Sequence, residues 1–165
     1  MRTIRIEKVT LNIGCGDDKA KIEKASKLLE MLTGKKPVIT KSKTRSTFGL
    51  ARGKPLGAMV TLRKKLAEEF LKKALVAVEN RINKKQFGAD GNFSFGIKEY
   101  IDISTVKYSH EIGMMGLDVC VTLERPGFKI KKRRKQQRKI PVKHKINKED
   151  AINWLKNKFG VEVFE

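Results

Sequence analysis

Cysteine is almost missing from this 165-residue chain, which has two, Cys15 and Cys120. Their wide separation and the lack of any Cys-x-x-Cys pair remove the basis for a disulfide framework or a zinc site. Histidine is as scarce. His110 and His144 have no spaced cysteine, histidine or carboxylate partners that would make a metal centre or a catalytic triad, so neither a metal nor a cofactor is expected. Long apolar runs are lacking too: Ala74 to Val78 falls far short of the roughly 20 residues that a membrane-spanning helix needs. Met1 to Ile13 alternates charged and apolar side chains instead of placing a charged start before an apolar block, so no signal peptide is read there and a cytoplasmic location is expected. Acid is the last shortage. Asp and Glu number 18 against 38 Lys and Arg, for a formal net charge of +20. That excess attracts polyanions and repels further copies of the chain, which suits a monomer on nucleic acid better than a membrane protein or a homo-oligomer.

What is present is enough to fold. The chain has the usual length of a single domain, and 39% of it is hydrophobic, sufficient for a real core. Ile4 and Ile6 are in phase, as are Val9, Leu11 and Ile13 with an offset of one, which predicts a strand with a bulge over Arg2 to Ile13. Asp17 and Asp18 are helix-start residues, and Ile22, Ala25, Leu28, Leu29 and Leu32 recur at helical spacing until Gly34. Pro37 to Thr40 and Leu56 to Leu62 read as two strands of a long hairpin. Lys64 to Ile82 reads as a second helix whose apolar face is Leu66, Phe70, Ala74, Ala77, Val78 and Ile82. Strands are expected within Asn92 to Ile103 and at Leu117 to Leu123. A last helix should start from the pair Asn147 and Asp150, bury Ala151, Ile152, Leu155 and Phe159 beside Trp154, and stop at Gly160. Strands adjoining as hairpins predict an α+β fold, a mainly antiparallel sheet with helices on one face. No repeat or linker divides the chain, so residues 1–165 are expected to form one RNA-binding domain with a basic internal loop over 125–145.

Two segments concentrate the charge. Lys35 to Lys54 holds seven Lys/Arg and no acid. Lys35, Lys36, Lys41, Lys43, Arg45, Arg52 and Lys54 can neutralise phosphates, and Thr40, Ser42, Thr44, Ser46 and Thr47 offer hydroxyls to phosphate and ribose oxygens. Phe48, at the expected tip, can stack on a base. The competing reading is a solvated hairpin whose lysines guard an edge. Lys129 to Lys145 holds ten Lys/Arg and no acid, including Lys131, Lys132, Arg133, Arg134 and Lys135, followed by Arg138, Lys139, Lys143 and His144. Such a segment is expected to order only against a polyanion. A localisation signal remains an alternative, although the position between a strand and a helix makes it a loop with fixed ends.

Enzyme readings find little. Gly14-Cys15-Gly16 lies between a strand and a helix as a dinucleotide fingerprint does, but it lacks the third glycine, and Asp17-Asp18 would repel a pyrophosphate. Cys15 beside a helix start invites a lowered pKa, yet no base accompanies it, and both cysteines are read as small buried hydrophobes. A DNA-compacting architectural protein is the other binding reading, without a recognition helix or dimer seam to support it. An RNA-modifying enzyme would need a catalytic constellation that is not there.

Leu11-Asn12-Ile13-Gly14, Leu32-Thr33-Gly34-Lys35-Lys36-Pro37, Thr61-Leu62-Arg63, Gly91-Asn92-Phe93-Ser94-Phe95-Gly96 and Gly116-Leu117-Asp118 follow one another in an order that resembles the universal large-subunit ribosomal protein family called L-five. Arg125-Pro126-Gly127-Phe128 and Lys143-His144-Lys145-Ile146 resemble its archaeal and eukaryotic branch. The resemblance covers nearly the whole chain. It implies a non-enzymatic α+β protein of the central protuberance that holds 5S ribosomal RNA (rRNA), contacts the large-subunit rRNA, and meets a small-subunit head protein across a bridge. It also implies a hairpin loop that reaches peptidyl-site tRNA. The implied 5S-facing residues are Asn12, Lys35, Thr40, Lys41 and Thr61, with Lys36, Lys43 and Arg63 as phosphate neighbours. The implied tRNA-facing loop runs from Ser46 to Lys54, with Ser46, Thr47, Phe48, Arg52 and Lys54. Lys35 stands where bacterial members tend to have glutamine, so a charge contact replaces an amide contact. The helix that precedes the first strand in bacterial members is expected to be absent.

Overall fold

The computed structural model describes residues 1–45, 49, 51–103 and 108–164. Side chains of β1 (Arg5–Gly14) alternate as the sequence predicts: Val9, Leu11 and Ile13 are buried, and Thr10 and Asn12 face the other way. The expected bulge falls between Ile6 and Lys8, where the register against a neighbouring strand slips by one and lets Ile6 join the same buried row. α1 (Lys19–Thr33) begins at Asp18, whose carboxylate accepts from the Ala20 and Lys21 amides at 3.0 and 3.3 Å. It ends at Gly34, which takes the left-handed conformation, and its buried stripe is the five residues expected from the spacing.

β2 (Val38–Lys41) and β3 (Pro55–Leu62) form the long hairpin, and β5 (Phe93–Ile97) and β6 (Leu117–Glu124) supply two more strands. The sheet order is β2-β3-β1-β6-β5 with every pairing antiparallel, so β1 is the central strand. α1 and α2 (Lys64–Ala77) pack on the face that carries Val9, Leu11, Val60, Val119 and Val121. The α+β expectation, an antiparallel sheet with helices on one side, therefore holds. α4 (Lys148–Phe159) starts with the Asn147 and Asp150 capping box and adds Ala151 and Leu155 to the same core.

The second helix is shorter than expected. It stops at Ala77, because Glu79 and Asn80 turn through positive φ (54° and 55°) and the Asn80 amide donates back to the Leu75 carbonyl at 2.9 Å. Ile82 instead lies in β4 (Arg81–Asn83), which pairs in parallel with β7 (Glu162–Phe164), a small second sheet that the residue spacing did not predict. The buried stripe of α2 is Ala67, Phe70, Leu71, Ala74 and Leu75, and Leu66, expected inside, is 45% exposed. Among the described residues, no helix is long and apolar enough to cross a membrane.

Candidate nucleic-acid interface

With the helices on one side, the other side of the sheet is left open, and the registers fix what it displays. One row across it runs Thr61, Thr10, Cys120, Ser94; the next runs Val38, Met59, Asn12, Asp118, Gly96; a third runs Thr40, Gly57, Gly14. The face thus carries hydroxyl, amide, carboxylate and thiol groups, with Val38 and Met59 toward the β2 edge and bare glycine backbone at Gly14, Gly57 and Gly96. Asn12, Thr40 and Thr61, each singled out by sequence resemblance, fall on this one face. Thr10, Ser94, Asp118 and Cys120 lie beside them and were not among the residues expected to face RNA. The period-two alternation of β1 and β6 was the signal that could have found them, but it needed the strand register to become a surface.

Gly57 is what lets the strands close up at this end. A Cβ there would lie 2.2 Å from the Ile13 carbonyl oxygen. Basic groups rim the face. Lys35 and Lys36 sit between α1 and β2 at its edge, Lys41 ends β2, and exposed Lys43 follows in the hairpin. Arg63 follows β3 at the opposite end and lies 3.7 Å from Glu7.

The hairpin base continues the ladder beyond the strands: the Ser42 amide donates to the Lys54 carbonyl at 2.8 Å and the Gly53 amide to the Ser42 carbonyl at 2.9 Å. Arg52 is exposed. Lys54 turns back to pair with Asp17 at 3.0 Å, so it braces the hairpin against the start of α1. Ser46, Thr47 and Phe48 lie outside the described residues.

The basic loop has more internal organisation than its composition suggested. It contains α3 (Lys129–Lys132) and a turn in which the Arg133 side chain donates to the Gln136 carbonyl at 2.9 Å. Arg125, 8% exposed, closes the loop at its root. Its Nη1 donates to the Lys145 carbonyl at 3.1 Å and its Nη2 to Asp150 Oδ2 at 2.9 Å, which ties both ends of the loop to α4. His144 was expected to face RNA. It is half-buried: Nε2 lies 2.9 Å from the Pro126 carbonyl and the ring packs edge-on against Phe128, so this nitrogen is spent on loop closure. Lys132, itself exposed, pairs with Glu7 in the β1 bulge, while Lys131, Arg134, Lys135, Arg138, Lys139 and Lys143 are exposed without a role in closing the loop. The loop leaves β6 beside Arg5 and the hairpin leaves β2 beside Gly57, which pairs with Gly14. The two basic segments therefore stand at opposite ends of β1.

The cysteines differ from expectation. Cys15 is half-buried and Cys120 is exposed on the open face. Burial, with Asp18 adding to it, raises the Cys15 thiol pKa, and partial burial together with Asp118 raises that of Cys120. Neither is an activated nucleophile. The Gly14-Cys15-Gly16 turn leads to a helix start already filled by the Asp18 carboxylate, which leaves no anion site there.

Two family models match the chain: ribosomal protein L5 over residues 1–50, and the C-terminus of the same ribosomal L5 family over residues 55–154. The chain belongs to this ribosomal protein family. A relative from Sulfurisphaera tokodaii, named large ribosomal subunit protein uL5, is 48% identical over 167 residues, covering 100% of this chain and 94% of its own. Relatives of the same name from Sulfolobus acidocaldarius and Nanoarchaeum equitans are 45% and 47% identical. They cover 100% and 99% of this chain and 93% and 97% of their own length. These archaeal relatives agree with the branch indicated by the Arg125 and Lys143 motifs. Membership makes the chain a structural ribosomal protein and not an enzyme, located in the ribosome in the cytoplasm.

Proposed function

We propose that this large-subunit protein holds 5S rRNA in the central protuberance, with the open face of its sheet as the RNA-binding surface. The observation that carries the reading is the convergence of Asn12, Thr40 and Thr61 on one open, helix-free face rimmed by Lys35, Lys36, Lys41, Lys43 and Arg63. Hydroxyl and amide groups suit ribose 2′-OH and phosphate oxygens, and the rim supplies the sequence-independent attraction. Recognition is then of RNA shape, held by a rigid sheet. The hairpin over 46–54, with Arg52 exposed, is assigned to peptidyl-site tRNA. The exposed cations of the 125–145 loop are assigned to large-subunit rRNA, and a small-subunit head protein is the bridge partner. These assignments rest on the family resemblance together with the exposure of the residues.

The test is competition binding of the purified protein to 5S rRNA, tRNA and duplex DNA across a salt series. A preference for 5S rRNA that persists at physiological salt is expected. Equal binding to all three that collapses as salt rises would leave only a generic polycation.

A further inference from the structure

We propose that the hollow where β1, β5 and β6 meet on the open face is a single-base pocket that takes an unpaired guanine of bound RNA. This deepens the RNA-binding reading and rests on it. The hollow, about 370 Å³, is lined by Asn12, Gly14, Gly96, Lys98, Gly116 and Asp118 among others. That volume is at the small end of pockets that accept small ligands, roughly 300–1,000 Å³.

Glycine shapes it. A Cβ at Gly116 would stand 2.9 Å from the Lys98 carbonyl and 3.0 Å from that of Ile97, and one at Gly96 would lie 3.6 Å from Asp118 Oδ1. Close passage of the 97–98 backbone therefore excludes a side chain at Gly116, and glycine at 96 leaves the Asp118 carboxylate uncovered. Asn12 and Asp118 are direct register partners, so an amide and a carboxylate stand side by side in the hollow. Neither side chain makes a hydrogen bond or ion pair among the described residues.

An exposed carboxylate opposes phosphate binding, so on an RNA-binding face it needs a donor to accept from. An ionised carboxylate accepts only, through two parallel oxygens. Guanine alone offers two adjacent N–H groups, N1–H and N2–H, on its Watson–Crick edge. Adenine and cytosine place a ring acceptor beside their amino group, and uracil has one N–H between two carbonyls. In the pocket Asp118 accepts from N1–H and N2–H of guanine, the Asn12 amide donates to O6, and Lys98 at the wall meets the phosphate.

The experiment uses the full-length chain and labelled uridine heptamers whose central residue is guanosine, inosine, N1-methylguanosine, adenosine or 2′-deoxyguanosine, with Asp118→Asn as the variant. Guanosine should bind about tenfold tighter than adenosine, the discrimination typical of one bidentate pair. Inosine and N1-methylguanosine should lose most of that gain, while 2′-deoxyguanosine keeps it. Asp118→Asn should erase the preference without weakening binding of all-uridine RNA, because the substitution removes a negative charge. If every heptamer binds alike and Asp118→Asn tightens all of them, the carboxylate is only a solvated repeller and the pocket is refuted, with the RNA-binding face intact. Loss on removing the 2′-OH with inosine unaffected would also refute it, in favour of a sugar contact. Failure to bind the heptamers and 5S rRNA alike would overturn both readings.

Discussion

Replacing Arg125 with alanine should loosen the root of the basic loop and destabilise the protein by an amount the structure lets us work out. Two hydrogen bonds from a charged donor are lost, to the Lys145 carbonyl and to Asp150, each worth about 1.5–3 kcal/mol when one partner is ionised. The Asp150 side chain is 43% exposed, so water takes over much of the second bond. Among the described residues the buried Nε of Arg125 has no partner, a desolvation cost that the alanine variant relieves. The balance is a loss of about 2–3 kcal/mol, which for a domain of this size lowers Tm by about 5–10 °C. Arg125→Lys, which keeps the charge but cannot fork to both acceptors, should fall between the two. Thermal unfolding measures the first effect, and limited trypsin digestion measures the second, because freeing the root should speed cleavage from Lys131 to Lys135. A variant that melts within about 1 °C of the parent, with unchanged tryptic cleavage, would refute the role given to Arg125.

Gly57→Ala places a methyl group 2.2 Å from the Ile13 carbonyl oxygen and should cost about 2–3 kcal/mol, the upper range for overpacking; an unchanged denaturation midpoint would contradict the close approach of β1 and β3. Removing Lys41 and Lys43 together should weaken 5S rRNA binding and flatten the dependence of log K on log salt by roughly 0.7–0.9 for each phosphate no longer neutralised, and an unaltered slope would remove both from the interface. Both thiols have raised pKa values, so alkylation should be slow at neutral pH and quicken as pH rises, with exposed Cys120 ahead of Cys15. Asp118→Asn takes away a carboxylate that raises the Cys120 pKa and should speed its alkylation; an identical rate in the variant would contradict their proximity.

Local signals carried most of the fold. Asp18, Gly34, the Asn147 and Asp150 pair and Gly160 each mark a helix end through a bond to backbone within a few residues, and such chemistry is legible in a string of letters. The end of α2 was not, because no glycine or proline stands there. Glu79 and Asn80 turn the chain, and Ile82, in phase with the helix, is captured by β7 from the far end of the sequence. The site divides in the same way. Asn12, Thr40 and Thr61 were reached through a family pattern, but the face they share exists only once β1 has β3 and β6 as neighbours. Arg125 and Glu7 show the limit most plainly. Nothing in the sequence paired either of them, and their partners Asp150 and Lys132 lie 25 and 125 positions away.

Strand β1 also acts as a gauge. Ten residues long, at about 3.3 Å per residue it spans roughly 30 Å between the hairpin at one end and the basic loop at the other. A stiff, doubly flanked strand cannot stretch, so on the proposed reading two segments of RNA bound at its ends would be held at a separation written into the number of residues between Arg5 and Gly14. Adding or removing a pair of residues there would keep every side chain on its face and yet move the two grips about 7 Å relative to each other.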